Sequence, residues 1–152
     1  MAQNRIGYVD VKSEPVQFYV QSSTSISLLN KDSPIIFNVT VLNEGGAMDI
    51  STGIFTAPKS GTYLFDFSGV SDPSTGVFSV VFYVNGVKKG SSFADDLGQF
   101  TVTLPSIWHL NKGDEVKLSI FPTGGTLYSD NLYGPLLHFT GILLEEDIFK
   151  AI

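Results

Sequence analysis

The sequence predicts an all-β fold, a two-sheet sandwich of about ten strands with jelly-roll character, on three observations. Short segments alternate apolar and polar residues: Tyr63, Phe65 and Phe67 against Leu64 and Asp66, Phe100, Val102 and Leu104 against Thr101 and Thr103, and Val116, Leu118 and Ile120. A period of two puts each such set on one face of a strand. Turn signals separate these segments, among them Pro58 to Gly61, Asn85-Gly86 and Asn111 to Asp114. Pro fixes φ, Gly accepts positive φ, and Asn-Gly is the strongest short hairpin signal. Finally, no stretch sustains the 3.6-residue apolar period of an amphipathic helix.

At 152 residues the chain is one domain, long enough to bury about two-thirds of its unfolded surface. There is no run of 18 apolar residues, so no membrane insertion is expected. Zero cysteines exclude disulfides and thiol catalysis, and a formal net charge of −6 argues against nucleic acid as a partner. Residues 1–14 lack the apolar core of a secretory signal peptide and read as a leader, residues 15–147 as the domain and 148–152 as a short tail. They also lack a Gly-x-y repeat.

In chain order, Val16 to Val20 alternates as a first strand, and Ser22 to Ser33 is Ser-rich and reads as a loop. Pro34 to Leu42 reads as the next strand and contains the sequon Asn38-Val39-Thr40. Asn43 to Ala47 turns the chain toward the short strand at Phe55. Phe78 to Val84 is apolar on both faces, with Phe78, Val80 and Phe82 on one and Val81 and Tyr83 on the other. Such a strand needs cover on its second side, from a loop or from another subunit. Ala94 to Gly98 is an acidic loop with Asp95 and Asp96, and Leu137 to Leu144 is the last strand.

One segment is more specific than a generic sandwich. Phe37, Asn43, Phe55, Gly61, Tyr63, Phe65 and Phe67 stand at the spacing of the C1q globular-domain signature, which the chain therefore resembles. Met48 is the one departure, at a position that is aromatic or Leu in that family. Met is apolar and adaptable enough to fill such a pocket. Further on, Gly113-Asp114, Tyr128 to Asp130, and Phe139 with Gly141 before Leu143 are similar to family elements, so the likeness covers about residues 15–145.

The resemblance implies a C1q/TNF-like jelly roll, a homotrimer and an extracellular, secreted recognition head without catalysis. Its partners are copies of itself and an extracellular glycan or protein ligand. Phe18, Val81, Tyr83, His138, Thr140 and Ile142 are the residues assigned to the trimer contact. His138, on the second face of the terminal strand, is read as an interface residue or a pH-responsive one. Relatives hold calcium in the loop matching Asp95 and Asp96, and hard cations prefer oxygen ligands from flexible loops. An ordinary solvated acidic turn is the competing reading. His109 and Trp108 are read as structural, and no nucleophile–base motif accompanies the two histidines. A structural coat or fibre trimer and a TNF-like signalling ligand are the alternatives to a recognition head.

Overall fold

A computed structural model describes residues 14–94 and 98–148. The strands are β1 (Gln17–Ser22), β2 (Ile26–Ser27), β3 (Val39–Glu44), β4 (Met48–Asp49), β5 (Ile54–Thr56) and β6 (Gly61–Val70). They continue as β7 (Phe78–Val84), β8 (Val87–Ala94), β9 (Thr101–Leu110), β10 (Glu115–Phe121), β11 (Thr126–Leu127) and β12 (Leu137–Glu146). Ten of them form two five-stranded antiparallel sheets, ordered β3-β1-β12-β6-β9 and β4-β5-β10-β7-β8. β2 and β11 make a separate two-stranded ribbon.

That ribbon lies partly in the stretch expected as a loop, because Ile26 pairs with Leu127 and leans on the core while its Ser-rich neighbours do not. The strand expected from Pro34 begins only at Val39. Before it, the chain runs beside β10, where the Ile35 N–H donates to the Leu118 carbonyl at 2.8 Å and Ile35 and Phe37 are buried. The Asn85-Gly86 hairpin has positive φ at both residues, 50° and 75°, the conformation a two-residue primed turn requires.

The core is aromatic and centres on Phe65. Its ring lies 5.3 Å from those of Phe55 and Phe82 and 6.2 Å from that of Phe139, linking both sheets. Tyr63, Phe65 and Phe67 occupy alternate positions on the inner face of β6, all without exposure. Tyr63 satisfies its hydroxyl by donating to the Lys59 carbonyl at 2.6 Å. Asn43 pins the turn into β4, its Nδ2 donating to the Met48 carbonyl at 2.8 Å. Met48 itself is buried, so the apolar contact is kept despite the change of residue.

Two glycines are set by close approach. A Cβ on Gly141 would stand 2.2 Å from Phe18 Cε2, and one on Gly61 would stand 2.2 Å from the Glu145 carbonyl oxygen. Phe18 cannot swing aside, because its ring is packed at 5.0 Å from Phe139 and 5.6 Å from Phe55. Gly141→Ala is therefore expected to lower the denaturant midpoint by an amount worth about 1–3 kcal/mol, as overpacked cores do. An unchanged midpoint would mean that Phe18 has another rotamer to occupy.

Candidate assembly face and apical loops

Each sheet has an outer face, and the two are finished differently. On the β7 sheet, Val81 and Tyr83 point outward, yet both are buried within the single chain. The Tyr83 hydroxyl donates to Asp32 Oδ1 at 2.7 Å, and Lys117 Nζ lies 4.9 Å from the centre of its ring. Lys117 also donates to the Asp32 carbonyl at 2.6 Å, and Ser119 Oγ to the Ser33 carbonyl at 2.6 Å, tying the Asp32–Ser33 segment to the sheet. Val81 sits in the ladder between the Lys88–Tyr83 and Ser79–Phe121 pairs, and Lys88 Nζ bridges them by lying 4.1 Å over the Phe121 ring. Long cationic side chains cover apolar surface in this way while their charge stays wet. The assignment of Val81 and Tyr83 to a subunit contact is corrected: their cover is the chain's own.

Burial pushes the Tyr83 phenol up to about 12, helped by its hydrogen bond to Asp32, and the same bond holds the Asp32 carboxyl below its ordinary value. Since the folded value is raised from 10, this stabilisation is complete below pH 10 and is lost as pH climbs through 12. An absorbance titration should therefore show a late tyrosinate step that Tyr83→Phe removes.

The outer face of the β12 sheet has no such cover among the described residues. Cross-strand pairing builds rows on it: Gln17, Ile142, Leu64 and Ile107, then Tyr19, Thr140, Asp66 and Pro105, then Gln21, His138, Ser68 and Thr103. The first row carries three adjacent aliphatic residues, with Ile107 61% exposed and Leu64 and Ile142 half-buried. The third is polar and pre-ordered. Tyr19 hydroxyl and His138 Nδ1 are 2.7 Å apart with stacked rings, and Gln21 Nε2 donates to the same hydroxyl at 2.8 Å.

His138, Thr140 and Ile142 thus share one outward face. Phe18 does not, and its assignment to the contact is corrected: at 1% exposure it points into the core, while its neighbour Tyr19 faces out. Leu64, Ile107 and Tyr19 belong to the face although sequence reasoning did not select them. Leu64 was legible as the alternate position between Tyr63 and Phe65. Ile107 was not, since only register places it beside Leu64.

At the end of the sandwich opposite the Asn85-Gly86 hairpin, the loops are tied by short polar links. Buried Ser129 joins three segments, its Oγ donating to the Ser22 carbonyl at 2.7 Å and accepting from the Leu136 N–H at 3.0 Å, and its N–H bonding Ser25 Oγ at 3.0 Å. Tyr128 donates to Asp130, whose carboxyl is held below the ordinary value by that bond. Asp72 is lowered likewise by Ser74. Leu132 and Tyr133 protrude at 75% and 82% exposure. Asp95 and Asp96 lie outside the described residues. Among the described residues no cluster of three or more His, Cys, Asp or Glu is arranged to hold a metal. His109, at the other end, pairs its Nε2 with Asp147 Oδ2 at 2.7 Å on the surface, and Trp108 stacks on Phe82 at 6.1 Å.

Two five-stranded antiparallel sheets with this strand order, closed over an aromatic core, define a jelly roll of the C1q and TNF kind. The chain belongs to the C1q domain family, whose model matches residues 17–144. It is 31% identical over 133 residues to complement C1q tumor necrosis factor-related protein 3 of Homo sapiens, covering 86% of this chain and 52% of that protein. Multimerin-2 of Mus musculus is 30% identical over 113 residues, which are 74% of this chain and 12% of that one. The chain thus spans about half the length of the first of these relatives and far less of the second. Among solved structures, the globular domain of zebrafish complement 1qA superposes with TM-score 0.70 at 21% identity, covering 87% of this chain and 99% of that one. Murine APRIL superposes with TM-score 0.63 at 16% identity, covering 86% and 100%.

Proposed function

We propose that the chain is an extracellular, non-catalytic recognition head that assembles into a homotrimer through the outer face of the β12 sheet and binds a glycan or protein ligand. The observation that carries the reading is the contrast between the two outer faces. Over Tyr83 one is covered by the chain's own Asp32–Ser33 segment and Lys117, with Phe93 and Phe121 left exposed further along it. The other presents the aliphatic row of half-buried Ile142 and Leu64 and exposed Ile107 with no such tie among the described residues. Obligate interfaces bury on the order of 2,000 Å² or more, enough to take up such a face. The relatives' names support an extracellular place for the domain.

Light scattering at micromolar concentration tests the assembly and should return three times the 16.5 kDa chain mass. A stable monomer sinks the proposal. Three heads acting together make binding to multivalent targets avid. Turnover abolished by one point mutation would replace the non-catalytic reading with an enzymatic one.

Calcium at Asp95 and Asp96 belongs to the same proposal. A cation that binds only the folded state raises stability by mass action. Calcium should therefore lift the thermal midpoint of the wild type, and chelator should lower it, with neither effect in Asp95→Ala/Asp96→Ala. Equal midpoints in calcium and in chelator make the pair a solvated turn.

A further inference from the structure

We infer that Asn38 is an N-glycan acceptor and that the sugar shields the free edge of β3. Asn38-Val39-Thr40 is the one Asn-x-Ser/Thr sequence in the chain, so an N-linked glycan has a single address. Asn38 and Thr40 are both exposed, at the bend that leads into β3. The Asn38 amide is held but not enclosed: Oδ1 accepts from the Ser23 N–H at 3.0 Å and Nδ2 donates to Ser23 Oγ at 3.1 Å.

Glycosylation joins Nδ2 to the anomeric carbon of an oligosaccharide delivered as its lipid diphosphate ester. The lipid diphosphate leaves with the electron pair of the broken C–O bond, and Nδ2 gives up one proton. Oδ1 is untouched and continues to accept from Ser23, so the sugar is added without opening the fold.

The edges of the two sheets show what the sugar does. A free strand edge is a template for pairing with another chain unless Lys, Pro, a bulge or brevity deters it. β4 has two residues, β9 carries Pro105 in its middle, and β8 carries Lys88 and Lys89 at a register shift. β3 is six residues long, with Val39, Val41 and Leu42 in its first four. Its own deterrents are the register shift at Val41 and the charge of Glu44 at the far end. The end next to Asn38 has neither, and a glycan there covers it.

The inference rests on the extracellular reading, so the two are tested apart. Residues 1–152 behind a cleavable secretory leader in eukaryotic cells should emerge with a glycan mass that an N-glycan amidase removes, converting Asn38 to aspartate. Asn38→Gln and Thr40→Ala should both emerge without it, and Thr40→Ala leaves the Asn38–Ser23 bonds intact. Secreted, folded wild type at the unmodified mass overturns the site. The two variants should also develop turbidity several-fold faster than the glycosylated wild type. Equal rates overturn the shielding role. Whether the natural chain is found outside its cells tests the extracellular reading alone, since forced secretion reports on Asn38 either way.

Discussion

Phe65→Ala is expected to destabilise the fold by about 3–5 kcal/mol, the range for deleting a large aromatic side chain from a core. The upper part of that range is favoured by where the ring sits. Phe18, Phe55, Tyr63, Phe82 and Phe139 all have ring centres within 6.4 Å of it, drawn from both sheets. Filling the void locally means bending a sheet inward, and the hydrogen-bonded ladders β1–β12–β6 and β10–β7 resist that bend. The cavity therefore stays open, and the cost of residual cavity volume adds to the lost transfer energy. Tyr63→Phe is the contrast, keeping the ring and losing only the bond to Lys59, at about 1 kcal/mol. Urea midpoints measured at unchanged m-value separate the two. If Phe65→Ala costs no more than Tyr63→Phe, the centre of the core lies elsewhere.

What the sequence made legible follows from which forces leave a local pattern. Burial on one side of a strand writes a period of two, so Tyr63, Phe65 and Phe67 could be assigned to one face before any contact was known. The spacing from Phe37 to Phe67 carried the family, because steric contacts constrain both large and small residues there, as Gly61 against Glu145 illustrates. Alternation does not say which face is inner. Phe18 and Tyr19 are both aromatic, and what decides is partnership: Phe18 finds Phe139, while the Tyr19 hydroxyl finds His138 and Gln21. A strand apolar on both faces shows that cover is needed, not who supplies it. For Tyr83 the suppliers are Asp32 and Lys117, polar residues distant in sequence whose role follows from tertiary geometry alone. The two-residue strands β2 and β11 were too short for any period to mark.

Ile142→Asp should convert the assembly to monomers at micromolar concentration while leaving the fold of each chain in place. The side chain is central in the row formed by Gln17, Ile142, Leu64 and Ile107 and is half-buried in the lone chain. Its carboxylate therefore stays hydrated in a monomer, and the inner-face neighbours Phe139 and Gly141 are not displaced. In a trimer closed over this face each copy would bury one unpaired charge, at a cost of several kcal/mol per site. Three such sites in one particle exceed what a single interface of ordinary size can offset. Ile107→Asp, on the edge strand β9 and already 61% exposed, is the companion that perturbs the monomer least. Both variants should scatter as 16.5 kDa species with wild-type far-ultraviolet dichroism. Because an assembly binds its own copies only when folded, the wild-type melting midpoint should rise with protein concentration and those of the variants should not. Variants that remain trimeric would place the contact on another surface, and a concentration-independent wild-type midpoint would remove the assembly itself.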